Sequence, residues 1–113
     1  MAVRATRRVP TSSGKLPARV EQLISVLRSH LPALQQRYAV RRLGVFGSYI
    51  RGEEGKRSDL DLLVEFDRAP TLLEFVRLER YISELLRVDV DLVMKTALKP
   101  TIGRRILEEV VPV

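Results

Sequence analysis

The stretch Ser58-Asp59-Leu60-Asp61-Leu62-Leu63-Val64-Glu65-Phe66 constrains this chain more than any other. Leu60, Leu62, Val64 and Phe66 alternate with Asp61, Leu63 and Glu65, a period that a half-buried strand satisfies and a helix does not. Residues i and i+2 of a strand share a face, so Asp59 and Asp61 point the same way, about 6.6 Å apart along the strand. Paired carboxylates of this kind offer the hard oxygen ligands that Mg²⁺ prefers.

Twelve residues before Asp59 a second polar feature begins. Val40 to Phe46 reads as a strand that runs into Gly47-Ser48 and a short helix over about 48–52. Gly47 lets backbone approach a ligand closely. Ser48 brings a hydroxyl to a helix start, where free N–H groups and the helix dipole favour phosphate. A turn for phosphates beside an acidic pair for metal makes a phosphoryl- or nucleotidyl-transfer site. Such a site generally wants a third carboxylate from a neighbouring strand. Val88, Val90 and Leu92 alternate with Asp89, Asp91 and Val93, so this third strand offers Asp89 or Asp91.

The helices follow from a different period. Val20, Leu23, Ile24, Leu27, Leu31 and Leu34 recur at helical spacing after Pro17. Pro32 predicts a break, leaving a helix over 18–30 and a short continuation to about 38. Residues 71–87 read as a long helix begun by Thr71 or Pro70, with Leu72, Phe75, Leu78, Ile82 and Leu85 on its core stripe. Pro100 opens a last helix carrying Ile102, Ile106 and Val110. The apolar ending Val110-Val111-Pro112-Val113 is expected to brace the sheet or meet a partner. Helices alternating with strands imply an α/β (α+β) layer architecture, without settling strand direction.

With 113 residues, 45% of them apolar, one domain with a modest core is expected. The absence of cysteine excludes disulfides and thiolate metal sites. No apolar run is long enough to span a membrane, and no secretory signal is evident, so a cytoplasmic location is expected. His30 is the single histidine and has no second imidazole to share a metal; it reads as a surface or helix-end residue. The net charge of +6 is uneven. Arg4, Arg7, Arg8, Lys15 and Arg19 precede any acid, and the other fifteen cations face fourteen acids. Residues 1–16 therefore read as a disordered basic tail and 17–113 as the folded domain. The tail is either a solvated arm or a contact for nucleic acid or an acidic partner. The near-neutral body argues against nucleic acid elsewhere.

Gly47-Ser48, ten residues, then Asp59-x-Asp61 resembles the signature of nucleotidyltransferases of the DNA polymerase β superfamily. The surrounding Phe46 to Glu53 and Ser58 to Val64 resemble its minimal branch, the antitoxin partners of HEPN toxins. The resemblance runs from about residue 20 to the C-terminus. It implies the polymerase β-type fold, a small mixed sheet with helices packed on it. It also implies a third acid in a Val-Asp-Leu-Val context, which is met by Asp91 in Val90-Asp91-Leu92-Val93. By this resemblance Asp59, Asp61 and Asp91 are the catalytic acids and ligands of two Mg²⁺ ions, and Gly47 and Ser48 hold the outer phosphates of ATP. Arg51 either stands near those phosphates or braces the turn. Tyr49 packs beside it, Lys56 and Arg57 belong to a charged loop, and Glu53, Glu54 and Glu65 read as surface charges. The implied activity is transfer of AMP from ATP to a tyrosine of a HEPN ribonuclease toxin, which silences it. Two alternatives remain: a non-catalytic antitoxin acting by contact, which the three intact acids oppose, and a nucleic-acid-binding module working through the basic tail.

Overall fold

The computed structural model describes residues 16–55 and 58–113. The chain runs α1 (Ala18–Tyr38), β1 (Val40–Phe46), α2 (Ser48–Arg51), β2 (Leu60–Phe66), α3 (Leu72–Leu86) and β3 (Val90–Met94). A 3-10 turn (Lys95–Ala97), α4 (Pro100–Glu109) and β4 (Val111–Pro112) complete it. Residues 1–15 of the tail expected over 1–16, and the loop residues Lys56 and Arg57, lie outside the described residues. Leu16, read as the end of the tail, packs against the core.

The strands form one mixed sheet in the order β3-β2-β1-β4. β1 runs antiparallel to β2 and to β4, while β2 and β3 are parallel and joined through α3. This is the small mixed sheet with helices that the resemblance implies. Alternation assigns the two faces. Leu43 and Val45 of β1, Leu60, Leu62 and Val64 of β2 and Leu92 of β3 are buried in one cluster with Leu27 and Leu34 of α1 and Leu78 and Ile82 of α3. The opposite face carries Gly44, Phe46, Asp61, Leu63 and Asp91.

Pro32 does not break α1, which is continuous over 21 residues. Leu27 and Leu34, on either side of it, are fully buried, so packing of one stripe holds the helix through the missing hydrogen bond. Thr71 caps α3 in a reciprocal capping box: its Oγ1 accepts from Glu74 N at 3.1 Å, and its own N–H donates to Glu74 Oε1 at 2.8 Å. Leu72 is not part of the α3 core stripe. It is 79% exposed, and the buried line runs through Leu78, Ile82 and Leu86. The third strand starts at Val90 rather than Val88, because Arg87 ends α3 in the left-handed conformation and the chain must first turn. At the β3 edge, Ser83 Oγ accepts from Val90 N at 3.1 Å and Glu79 Oε2 accepts from Leu92 N at 2.9 Å. These α3 side chains occupy donors that an added strand would need.

The C-terminal segment does more than close the last helix. α4 ends at Glu109, and Val110 is its extended C-cap instead of a helical core position. Val111–Pro112 then form β4 on the outer edge of β1, and Val113 N donates to Leu43 O at 2.9 Å. Gly44 makes this possible, since a Cβ there would run into Val110 Cγ2. Among the described residues no helix is long and apolar enough to cross a membrane.

Candidate active site

The turn after β1 depends on backbone that only glycine adopts easily. Gly47 has φ 85° and ψ −155°, and a Cβ on it would collide with the Asp61 carboxylate. Its carbonyl accepts from Ile50 N at 3.1 Å and Arg51 N at 3.3 Å, which winds the chain into α2. Ser48 is the first residue of that helix, and Tyr49 is buried beside the turn. At four residues α2 is one turn long, so the expected help from a helix dipole is small. The turn offers local N–H and hydroxyl groups instead.

The sheet register gathers the acids. Asp61 is paired with Phe46 on one side and with Asp91 on the other. Asp59 is exposed and stands just before β2. Burial is the main cause that raises the Asp61 carboxyl above its ordinary range, followed by the charges of Asp91 and Asp59; Arg51 opposes the shift. Asp89 is placed differently. It precedes β3, its carbonyl accepts from Leu60 N at 2.8 Å, and it lines a hollow with Arg19, Ser83 and Arg87. The register thus sets Asp91, and not Asp89, opposite Asp61.

Among the described residues no three His, Cys, Asp or Glu side chains close into a ready-made metal cage. The fit to a divalent cation lies in ligand type and charge. Among the described residues, Asp59, Asp61 and Asp91, with Glu53 and Glu109 around the guanidinium of Arg51, place five carboxylates against one cation, a formal charge of −4. Hard divalent cations suit carboxylate oxygens and offset such a charge.

Sequence reasoning missed Glu109. Its Oε2 accepts from Gly47 N at 2.8 Å, and its Oε1 accepts from Arg51 Nη1 at 2.5 Å. Arg51 Nε also donates to Glu53 Oε1 at 2.9 Å. Arg51 therefore braces the turn, and Glu53 first and Glu109 second keep its guanidinium firmly protonated. Glu53 is the exposed surface charge expected, and it is paired with Arg51 at the turn. One local signal pointed to Glu109: a carboxylate in the last turn of a helix opposes the helix dipole unless something else pairs with it. His30 plays no part here; its Nδ1 bonds Val26 O within α1.

A glycine turn at a strand end, facing an aspartate pair on a mixed sheet, defines the nucleotidyltransferase class. Residues 27–113 match the nucleotidyltransferase domain model, and the chain belongs to this family as a minimal nucleotidyltransferase. Protein adenylyltransferase MntA of Thermococcus cleftensis is 49% identical over 92 residues, covering 81% of this chain and 93% of the relative. A solved chain described as a minimal nucleotidyltransferase is 37% identical, with a TM-score of 0.67 over 91% of this chain and 100% of that one. A chain from the complex of tri-AMPylated Shewanella oneidensis HEPN toxin with its MNT antitoxin shares the fold at 20% identity. Its TM-score is 0.54, over 83% of this chain and 67% of that one.

Proposed function

We propose that this nucleotidyltransferase is an antitoxin that transfers AMP from ATP to a tyrosine hydroxyl of a HEPN ribonuclease toxin, in the cytoplasm. The observation that carries the reading is the placement of the Asp61 carboxylate against the Gly47 turn and opposite Asp91. It is supported by the relatedness to protein adenylyltransferase MntA and by the AMPylated HEPN toxin found with a fold relative. Asp59, Asp61 and Asp91 would hold Mg²⁺, two ions in the full arrangement. The metal, when bound, supplies charge stabilisation to the attacking and leaving oxygens. Gly47 N–H and the Ser48 hydroxyl orient the outer phosphates, and Arg51 supplies a cation beside them. These residues position the α-phosphorus for attack by the acceptor oxygen, with pyrophosphate as the leaving group. No covalent bond to the protein is needed.

The test is incubation of the protein with a HEPN partner, Mg²⁺ and ATP labelled in its α-phosphate. Label on a toxin tyrosine, with loss of ribonuclease activity, is the expected result. Neutralisation without label would instead establish an antitoxin acting by contact.

A further inference from the structure

We propose that Glu109 is an internal competitor for nucleotide: its carboxylate occupies the donors that a phosphate would take, and it must give them up before nucleotide binds. This inference rests on the nucleotide reading above. Its basis is the bridge that Glu109 makes between Gly47 N–H and the Arg51 guanidinium, at 2.8 Å and 2.5 Å. A backbone N–H and a guanidinium side by side are the donors that phosphate oxygens recognise. A carboxylate satisfies them in the same way, with one oxygen on each.

The contact is a made one. The Glu109 side chain is 24% exposed, and its place in the last turn of α4 is unfavourable without such partners. The Gly47 N–H has one good acceptor position, so a phosphate oxygen and Glu109 Oε2 exclude each other. Glu109 also adds negative charge beside Asp61, so keeping it in place while a polyphosphate enters is doubly unfavourable. The exchange is confined to the side chain. Val110 N donates to Ile106 O at 2.8 Å, Val111 pairs with Val45, and Val113 N donates to Leu43 O at 2.9 Å, so the backbone after Glu109 is held. A small single anion gains too little to displace the carboxylate. A metal-bound triphosphate, which also engages the aspartates, displaces it.

The test is calorimetric titration of the full chain with Mg²⁺ and AMP-PNP, comparing wild type, Glu109→Gln and Glu108→Gln. Glutamine matches the carboxylate in size but removes the charge that holds the bridge between Arg51 and Gly47 N–H, so it no longer competes there as an anion. Glu108 is an exposed neighbour that controls for net charge. If the occupied form predominates about ten to one, Glu109→Gln tightens AMP-PNP binding about tenfold and Glu108→Gln leaves it unchanged. Unchanged or weaker binding by Glu109→Gln overturns the proposal, as does an equal gain in both variants. Failure of all three proteins to bind AMP-PNP overturns the nucleotide reading together with it. Wild type alone gives a second readout, whatever the variants do to folding. The side-chain carboxyl carbon resonance of Glu109 must shift on AMP-PNP addition, and an unmoved resonance at saturation refutes the exchange.

Discussion

Gly47 and Asp61 stand so close across the end of the β1–β2 pair that a side chain on residue 47 would take the space of the Asp61 carboxylate. The φ of 85° at Gly47 adds a second obstacle to any other residue. Gly47→Ala should therefore displace Asp61 and strain the turn together. We expect a fall in AMP transfer of roughly 100-fold or more, and a loss of about 1–3 kcal/mol of stability. Labelled-ATP transfer and thermal melts check both, and wild-type transfer by the variant would show that the two residues do not need this contact.

Asp59→Asn, Asp61→Asn and Asp91→Asn each remove a charge from the proposed metal ligands with little change of shape. An amide cannot replace carboxylate charge at Mg²⁺. Transfer should drop roughly 100-fold or more in each, with less effect on nucleotide binding for Asp91→Asn than for the other two. Asp89→Asn should be nearly silent, since Asp89 precedes β3 and lies outside the register pair. Loss in Asp89→Asn but not in Asp91→Asn would reassign the third ligand.

The pH dependence of stability has a definite sign at Asp61. Its carboxyl is raised above the ordinary value of 3.8, by burial first and then by Asp91 and Asp59. The folded state holds this proton more readily than the unfolded chain does. The contribution of Asp61 is thus fully present below the unfolded pKa and is lost as pH rises through the folded one. With chelator present, Asp61→Asn should melt above wild type at neutral pH, and the two should converge on acidification. A gap that widens in acid would contradict the sign.

Gly44 accepts the C-terminal strand because it has no Cβ; one there would meet Val110 Cγ2 and lie 3.3 Å from Val111 O. Gly44→Ala should push β4 off the sheet edge and cost about 1–3 kcal/mol, as overpacking does. Amide exchange at Val113, whose N–H donates to Leu43 O, should accelerate. Slow exchange at Val113 in a destabilised variant would place the damage elsewhere.

Residues 1–15 carry four of the chain's cations and no candidate ligand. A chain beginning at Leu16, which packs against the core, should keep its melting temperature and its rate of AMP transfer. A slower rate with an unchanged melt would give the basic segment a part in holding the acceptor.

Much of this protein was legible locally. The alternation through Leu60, Asp61 and Leu62 announced β2 and its two faces, and Thr71 or Pro70 marked the start of α3, which Thr71 caps. Gly47 followed by Ser48 identified the turn before any neighbour was known. These features are readable because side-chain direction along a strand or helix depends on the backbone of a few consecutive residues. Other features depended on partners. Leu72 has the helical spacing of a core residue, yet at the first position of α3 it lies beyond the core and is exposed, while Leu86 at the other end is buried. Pro32 carries a helix-breaking signal, and burial of Leu27 and Leu34 overrides it.

Residue type and spacing alone therefore determined β1, β2 and the existence of β3, the turn and the kind of chemistry that the aspartates can support. The spacing left Asp89 and Asp91 open and the resemblance pointed to Asp91, but only tertiary structure set Asp91 opposite Asp61, added Val111–Pro112 as a fourth strand and brought Glu109 to Gly47 across 62 residues of chain. The physical reason is that register and long-range closure are chosen by the packing of whole elements against one another. A local window holds only one side of each such contact.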